Sequence, residues 1–397
     1  MAGRERSLAA ALLLVALNLR LAVAAVPPVL SQIRHTTGLS SAGGGLLTGV
    51  PVFCFGLAAL AAPWLIRRFS MGPVLGLTML AVIAGCALRL AHPVLVLFLG
   101  TILVGSGIAV GNVLVPGLIK RDFPRERVLM TALYSVALAG GAALAAGLTI
   151  PLQHATGAGW RVTIALWGLA AVLALALWAP QVRHEQSRLA DGDGGGGGSP
   201  PVRGLWRDPL AWCVTGFMGL QSFGFYATLS WLPTILKDHG MAAGQAGWML
   251  SYTAIFGMIG ALLAPSLERR SRRPSLMVLA CVALCGVGYA GLIAAPASGA
   301  YVWCAFMGLG QGAPLALALG YIVDRAPDSN HAAHLSTMAQ SGGYLIAAAG
   351  PFLAGWLHGL SGGWTLPLAV VLASLVPMLL TGLVASRDRL VLADQRV

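Results

Sequence analysis

Long apolar runs, separated by short clusters of basic residues, are the feature that most limits how this chain can fold. A membrane-spanning helix needs about 20 predominantly apolar residues, and the sequence offers twelve runs of that order. Their limits are 7–28, 43–66, 73–91, 93–119, 128–152, 160–180, 209–236, 243–267, 274–295, 299–323, 332–357 and 363–385. Only 10% of the residues are charged, whereas soluble domains carry about 25%. The runs do not alternate as barrel strands do, so we expect an all-α polytopic membrane protein with twelve transmembrane helices.

The distribution of Lys and Arg predicts the orientation of these helices. With the N-terminus inside, 20 of the 25 basic residues fall in inner segments, three (Arg34, Arg161 and Lys237) in outer segments and two within runs. Inner loops of membrane proteins are enriched in Lys and Arg. We therefore expect both termini in the cytoplasm and the chain in a bacterial plasma (inner) membrane. The basic inner loops account for the net charge of +12, which therefore does not indicate a nucleic-acid partner. The N-terminal run resembles a signal peptide, but it is expected to stay as an uncleaved first helix.

A polar break at residues 181–208 divides the chain into an N-terminal half, 1–180, and a C-terminal half, 209–397. The core of the break, Asp191 to Pro201, is a run of glycines closed by two prolines. Glycine-rich linkers are flexible and proline-rich ones are stiff. We expect a cytoplasmic linker that lets the two six-helix halves move.

The second half repeats the first. At a shift of 202 residues, the segment from Gly45 to Arg68 falls on the segment from Gly247 to Arg270. At a shift of 203 residues, Asn18 falls on Gln221. Two such halves, related by an axis along the membrane normal, are the plan of the major facilitator superfamily of transporters.

Several local strings carry a closer resemblance. They are Leu17-Asn18-Leu19-Arg20, Gly45-Leu-Leu-Thr48 with Pro51-Val-Phe-Cys-Phe-Gly56, Gly107-Ile-Ala-Val-Gly111-Asn112-Val-Leu-Val-Pro116 continuing to Pro124, Met130-Thr-Ala-Leu-Tyr134, and Gly159-Trp160-Arg161. The chain resembles the cyanate and 2-nitroimidazole transporter family within the major facilitator superfamily. The resemblance is dense in the first half and weaker in the second. It implies twelve helices, alternating access and a small polar or anionic substrate, without choosing between cyanate and nitroimidazole.

Arg20 interrupts the first apolar run about thirteen residues from its start at Leu8. A charge at that depth is costly, and it lies too far from the interface for easy snorkelling. All 13 Asp and Glu residues fall in termini, in loops or near the ends of runs. A guanidinium matches planar pairs of oxygen atoms, such as those of a carboxylate or nitro group. We expect Arg20 to face a cavity and to bind the substrate.

Helix phase predicts what surrounds Arg20. Asn18 lies roughly 200° away around the helix, so it is expected to bond a neighbouring helix. The matching face of the seventh run carries Phe223 and Tyr226, which either line the site or pack. The other candidate substrate-binding residues are Asn112, Tyr134, Gln221, Gln311, Gln340 and Tyr344. The resemblance favours Asn112, Gln221 and Gln311 as substrate-binding residues, because the first, fourth, seventh and tenth spans usually line the transport path in this superfamily.

Charged residues at the inner ends of runs are candidates for gating or for plain anchoring. They are Lys120, Arg121, Asp122, Glu268, Arg269, Asp324 and Arg325. The superfamily's usual loop after the second span carries an Asp before its basic residues, and this chain lacks that acid next to Arg67 and Arg68. Arg89, near the outer end of the third run, is expected to snorkel to the surface.

The sequence weighs against an enzyme. There is no HExxH, no GxSxG and no pair of acids within a run, and the six cysteines lack metal-ligand spacing, so no cofactor or metal is expected. The expected partners are a small-molecule substrate and the lipid bilayer, with a co-transported proton or an exchanged counter-anion left open, and the protein is expected to be a monomer. The runner-up function is multidrug-type efflux of neutral aromatic compounds.

Overall fold

The computed structural model describes the backbone of residues 3–190, 202, 204–271 and 275–392. Within these ranges it describes all side chains except those of residues 3–5, 58–59, 61–67, 127–128, 132, 183–190, 265, 269 and 329. This part of the chain is helical and contains no strand. The helices are α1 (Gly3–Ala24), α2 (Leu30–Thr37), α3 (Ser41–Phe69), α4 (Met71–Leu88), α5 (Val94–Asp122), α6 (Arg127–Thr156), α7 (Trp160–Leu166), α8 (Gly168–Ala190), α9 (Pro209–Asp238), α10 (Ala243–Arg270), α11 (Ser275–Ala294), α12 (Ala300–Asp324), α13 (Ser329–Ser361) and α14 (Thr365–Ala385), with short 3-10 helices at Pro27–Val29 and Leu205–Arg207.

Each predicted apolar run coincides with one helix or with two consecutive helices, which confirms the all-α fold class. The first run is α1, which gives way to a 3-10 turn at Pro27 and continues as α2. The sixth run divides at Trp167 into α7 and α8. Helix α8 continues to Ala190, so the first residues of the polar break are helical, while the glycine-rich core at 191–201 lies outside the described residues.

Within the described residues, nine segments are long and apolar enough to cross a membrane. The first half of α3 qualifies as a shorter apolar helix, Ser41–Leu57. Helices α9 and α13 have the length of a bilayer span but also carry glutamine, serine and threonine. A surface rich in exposed leucine, valine and isoleucine side chains suits lipid rather than water.

Contacts divide the chain into two compact units, here called unit 1 (Met1–Thr37 and Leu57–Gly198) and unit 2 (Gly38–Gly56 and Ser199–Val397). In unit 1, α1 packs against α5, α6 and α8, and α4 packs against α5 and α8. In unit 2, α9 packs against α12, α13 and α14, and α11 packs against α12 and α14. These pairings in unit 1 correspond to those in unit 2 when α1, α4, α5, α6 and α8 are matched with α9, α11, α12, α13 and α14.

The end of α1 is set by two consecutive prolines. Pro27 and Pro28 have no N–H to donate, so the α-helical ladder stops before them. The Val26 N–H bonds the Val23 carbonyl at 3.3 Å instead of the Ala22 carbonyl four residues back. The Ala22 carbonyl thereby loses its helical donor in the interior of unit 1, and a buried carbonyl needs another one.

Candidate functional site

Arg20 lies on α1 where α1 packs closely against α6. A Cβ on Gly141 of α6 would overlap the Leu17 carbonyl oxygen, so the absence of a side chain there allows the close approach. Arg20 is half-buried, and its charge acts on the hydroxyl of Tyr134, which also lies on α6. The structure thus brings together two residues that the sequence nominated separately.

Asn112 on α5 completes a cluster with Arg20 and Tyr134. The Tyr134 hydroxyl donates a long hydrogen bond of 3.4 Å to Asn112 Oδ1. Asn112 Nδ2 is buried, and it has no hydrogen-bond partner in the described part of the protein. A buried amide N–H₂ group without an acceptor is costly, so the cluster offers a donor to an incoming acceptor. We call Arg20, Asn112 and Tyr134 the Arg20 cluster.

Asn18, on a different face of α1, bonds away from this cluster. Its Nδ2 donates to the Leu14 carbonyl at 2.8 Å and to the Ala170 carbonyl of α8 at 3.1 Å. The predicted bond to a neighbouring helix is confirmed. The amide ties α1 to α8 and leaves the face with Arg20 to α5 and α6.

Two of the three aromatic candidates of unit 2, Tyr226 and Tyr344, meet in a cluster that includes a residue the sequence did not nominate. Tyr226 and Tyr344 have ring centroids 6.4 Å apart, and Phe55 lies 6.3 Å from Tyr226 and 5.6 Å from Tyr344. Edge-to-face pairs at these distances are favourable. Phe223 is buried beside the close approach of α9 and α13 at Gly350. We call Phe55, Tyr226 and Tyr344 the aromatic cluster.

The glutamine candidates of unit 2 bond other side chains or backbone. Gln221 Nε2 donates to Ser222 Oγ at 2.6 Å and to the Met218 carbonyl at 3.1 Å. Gln340 Nε2 donates to Ser336 Oγ at 2.8 Å. Both sets of bonds are local to one helix, so they orient the amides without joining helices.

Gln311 belongs to a network between three helices of unit 2. Its Nε2 donates to Tyr289 Oη at 2.7 Å and to Thr228 Oγ1 at 2.9 Å. Tyr289 in turn donates to the Gly224 carbonyl at 3.1 Å. The network links α9, α11 and α12, and neither Thr228 nor Tyr289 was nominated from the sequence. Sequence spacing gives no signal for it, because its members come from distant parts of the chain.

The gating candidates take several different partners. Arg121 and Asp122 form an ion pair with each other, 2.7 Å between Nε and Oδ1. Tyr321 Oη donates to Glu268 Oε1 at 2.6 Å. Lys120 and Asp324 are exposed, and the Arg269 side chain lies outside the described residues.

Arg325 ties the end of α12 to the chain beyond α14. Its Nε donates to the Ala385 carbonyl at 3.0 Å, and its Nη1 lies 3.2 Å from Asp388 Oδ1. The Val391 N–H donates to the Arg325 carbonyl at 2.9 Å. This arrangement closes one end of unit 2, where Asp208 also caps α9 through the N–H groups of Leu210 and Ala211.

Arg89 was predicted to snorkel, and that prediction is wrong. Its side chain is 0% exposed, and its Nη1 donates to the Ala22 carbonyl at 2.7 Å. This is the carbonyl that the break in α1 deprives of its helical donor. Nε and Nη2 of Arg89 are buried and have no hydrogen-bond partner among the described residues. The signal that could have found this residue is the Pro27-Pro28 pair, which frees a carbonyl inside an apolar run.

Among the described residues, no group of three or more His, Cys, Asp or Glu side chains lies close enough together to hold a metal ion. The acids that the structure describes lie at or near helix ends, for example Asp122, Asp238 and Asp324. What unit 1 buries is instead cationic and amide-bearing. Such a site is suited to binding an anion or a polar solute.

Membrane-length helices with a half-buried cation and a buried amide between them are typical of an integral membrane protein of the transporter class. The chain belongs to the Major Facilitator Superfamily, which its sequence matches over residues 8–351. It is 38% identical to the 2-nitroimidazole transporter of Escherichia coli (strain K12), with 98% of both chains covered. It is 32% identical to the cyanate transport protein CynX of the same organism, with 89% of this chain and 90% of that protein covered. The resemblance found in the sequence is confirmed.

Solved structures agree on the fold. A bacterial homolog of the human lysosomal transporter Spinster gives a TM-score of 0.75 at 16% identity, with 98% of both chains covered. At this identity the likeness shows the fold alone. The family and its transporter relatives show that the protein is a transporter of small molecules embedded in a membrane, not an enzyme.

Proposed function

We propose that the protein is a secondary active or facilitative transporter that moves a small anionic or polar planar solute by alternating access. The class includes a cyanate-like anion, a carboxylate and a nitro-heterocycle. Arg20 is the cation that binds this solute. This proposal rests on the Arg20 cluster, which combines a half-buried guanidinium with a buried amide N–H₂ group that has no acceptor in the described part of the protein.

The physical case rests on charge and shape. A guanidinium and an anion about 4 Å apart attract each other by about 4 kcal/mol at an effective dielectric constant of about 20. The planar fork of arginine binds two coplanar oxygens at once, which a lysine cannot do. Asn112 Nδ2 adds a neutral donor, and the Tyr134 hydroxyl, 3.4 Å from Asn112 Oδ1, orients that amide.

The relatives support the same class of solute. One is named for 2-nitroimidazole and another for cyanate. A nitroimidazole is a planar ring with two coplanar nitro oxygens, and cyanate is a small anion. A single arginine beside an amide donor suits both, which is how one scaffold could serve different members of the family.

A second candidate is the efflux of neutral aromatic compounds. The aromatic cluster of Phe55, Tyr226 and Tyr344 favours it, since rings at 5.6 to 6.4 Å offer edges and faces to a flat apolar ligand. The same cluster would also serve an anionic solute that carries a ring. The two candidates differ in what they require of Arg20, because a neutral apolar compound gains little from a cation.

We further propose that the ends of α5, α10 and α12 lie at the cytoplasmic surface, where their charged residues anchor the helices or close the inner gate. The Glu268–Tyr321 bond of 2.6 Å is the strongest candidate for a gate contact within unit 2. We also propose that the protein functions as a monomer in the bacterial inner membrane. If its transport is coupled, the coupling partner is a co-transported proton or an exchanged counter-anion.

The test is uptake of radiolabelled cyanate and of a nitroimidazole into proteoliposomes that contain the purified protein. Arg20→Ala is expected to abolish uptake of both while leaving the amount of folded protein unchanged. Arg20→Lys is expected to lose most of the activity, because it keeps the charge but loses the planar fork. Arg207→Ala is the matched control, since Arg207 is an exposed arginine outside the helices that form the Arg20 cluster.

Normal uptake by Arg20→Ala would overturn the assignment of Arg20. Uptake of neutral aromatic dyes, but not of cyanate or nitroimidazole, by the unmodified protein would favour the efflux candidate. Binding of small anions with no movement across the bilayer would overturn alternating access.

A further inference from the structure

We propose that Arg89 is a positioning residue: its guanidinium braces the break in α1 and thereby holds Arg20 in the geometry that binds the solute. This inference rests on the proposed function of Arg20. It assigns a role to a second arginine, at the end of another helix, which holds Arg20 in position.

The break in α1 creates the need for a brace. Pro27 and Pro28 remove two donors, and the Val26 N–H turns to the Val23 carbonyl. The Ala22 carbonyl is then an acceptor without a helical partner, and it lies two residues beyond Arg20. The end of a helix that lacks its last backbone hydrogen bonds can tilt, and a tilt at the end of α1 would move the guanidinium of Arg20.

Arg89 meets this need from α4. It is the C-cap residue of α4, and its Nη1 donates to the Ala22 carbonyl at 2.7 Å. Among the described residues this is the one hydrogen bond of the Arg89 side chain, which is 0% exposed. A fully buried guanidinium with a single acceptor is expensive to keep. An apolar residue of similar size would fill the space at less cost, so the bond to α1 is the feature that sets arginine apart.

The neighbouring backbone makes room for this side chain. Gly85 on α4 and Gly100 on α5 face each other, and a Cβ on either would lie 2.6 to 2.7 Å from the other's carbonyl oxygen. A Cβ on Gly100 would also lie 3.3 Å from Arg89 Cγ. The close approach of α4 and α5 therefore shapes the slot through which the stem of Arg89 reaches α1.

The position of Arg20 matters because anion binding by a planar fork is geometrically demanding. The loss of one hydrogen bond between a charged group and its partner costs about 1.5–3 kcal/mol, which is roughly 10- to 100-fold in affinity. Loss of the brace should therefore raise KM for the solute while leaving the maximal rate much less affected. A defect in overall folding would lower the amount of active protein without raising KM.

The experiment compares Arg89→Met, Arg89→Gln and Arg161→Met in proteoliposomes, using cyanate as the probe and the folded, purified fraction of each protein. Arg161 is the matched control, since it donates to the carbonyls of Ala91 and His92 but makes no such bond to α1. Arg89→Met is expected to raise KM about 10- to 100-fold. Arg89→Gln keeps an N–H donor and is expected to raise it less, and Arg161→Met should stay within about twofold of the unmodified protein.

Hydrogen exchange provides the readout that separates positioning from general destabilisation. In Arg89→Met, amides of residues 20–30 should exchange faster, while those of unit 2 should not change. Unchanged KM in both Arg89→Met and Arg89→Gln would overturn the proposal, as would a raised KM without faster exchange at residues 20–30. If Arg20→Ala retains normal uptake, the proposed function fails; if Arg20→Ala is inactive and both Arg89 variants are normal, this inference alone fails.

Discussion

Replacing Asn112 by aspartate puts a carboxylate into the Arg20 cluster with almost no change in side-chain size. The oxygen of Asn112 lies 3.4 Å from the Tyr134 hydroxyl, and the charge of Arg20 acts on that same hydroxyl. A carboxylate at this position attracts Arg20 and repels an incoming anion. Asn112→Asp should therefore weaken the binding of anions more than the loss of an amide donor alone.

The size of the effect follows from the geometry. For an anion bound to Arg20, we take a separation of about 7 Å between its charge and a carboxylate at residue 112, which is about twice the 3.4 Å between the Tyr134 hydroxyl and Asn112 Oδ1. At an effective dielectric constant of about 20, two unit charges at that distance interact by about 2.4 kcal/mol. Each 1.4 kcal/mol is a factor of ten in affinity, so the carboxylate should weaken anion binding roughly 50-fold.

The assay measures Kd for cyanate and for a neutral nitroimidazole on purified Asn112→Asp and Asn112→Leu. Both variants lose the amide N–H₂ group, but only aspartate adds a charge. The roughly 50-fold loss for cyanate is expected in Asn112→Asp relative to Asn112→Leu. The neutral nitroimidazole should bind the two variants within a factor of about three. If Asn112→Asp binds cyanate as tightly as Asn112→Leu, the electrostatic reasoning about this cluster is refuted.

Three further predictions concern other parts of the molecule. Tyr134→Phe removes the hydroxyl that bonds Asn112 Oδ1, and calorimetry should find anion affinity lowered by about three- to tenfold. Tyr289→Phe leaves the Gly224 carbonyl and the Gln311 amide without the hydroxyl they bond, so chemical unfolding in detergent should show a loss of about 1–3 kcal/mol, with exposed Tyr301→Phe as the unaffected control. The backbone N–H and the imidazole of His331 hold the pKa of the Asp328 carboxyl below its ordinary 3.8. Its stabilising effect is present above that pH and is lost as the pH falls through the lowered pKa, so melting temperatures of Asp328→Asn should fall less steeply below about pH 4 than those of the unmodified protein.

Helix positions were predictable from the sequence because the bilayer fixes the length of an apolar run. Most ends agree within a few residues, as for α9, expected at 209–236 and observed at Pro209–Asp238. The bond of Asn18 to another helix was predictable too, since helical phase places it away from Arg20. These inferences use only local periodicity, and a single sequence carries that information.

Partners across helices were much harder to predict. Gln311 was nominated as a substrate ligand, but its amide bonds Thr228 and Tyr289, which lie 83 and 22 residues away in the chain. Phe55 went unnoticed although its ring meets those of Tyr226 and Tyr344. Such contacts depend on which helix faces are brought together, and that is a property of tertiary packing rather than of any one run.

Arg20 and Arg89 show why depth in an apolar run is an incomplete guide to the role of a charge. Arg20 lies mid-run and is half-buried, whereas Arg89 lies at the end of α4 and is fully buried. The difference arises in α1, where two prolines free a carbonyl and so create an acceptor that Arg89 bonds. A charge near the end of a span therefore has two options, the lipid interface or an unpaired backbone group nearby. In this chain, the Pro27-Pro28 pair in the first span is the sequence feature that accounts for the second option at Arg89.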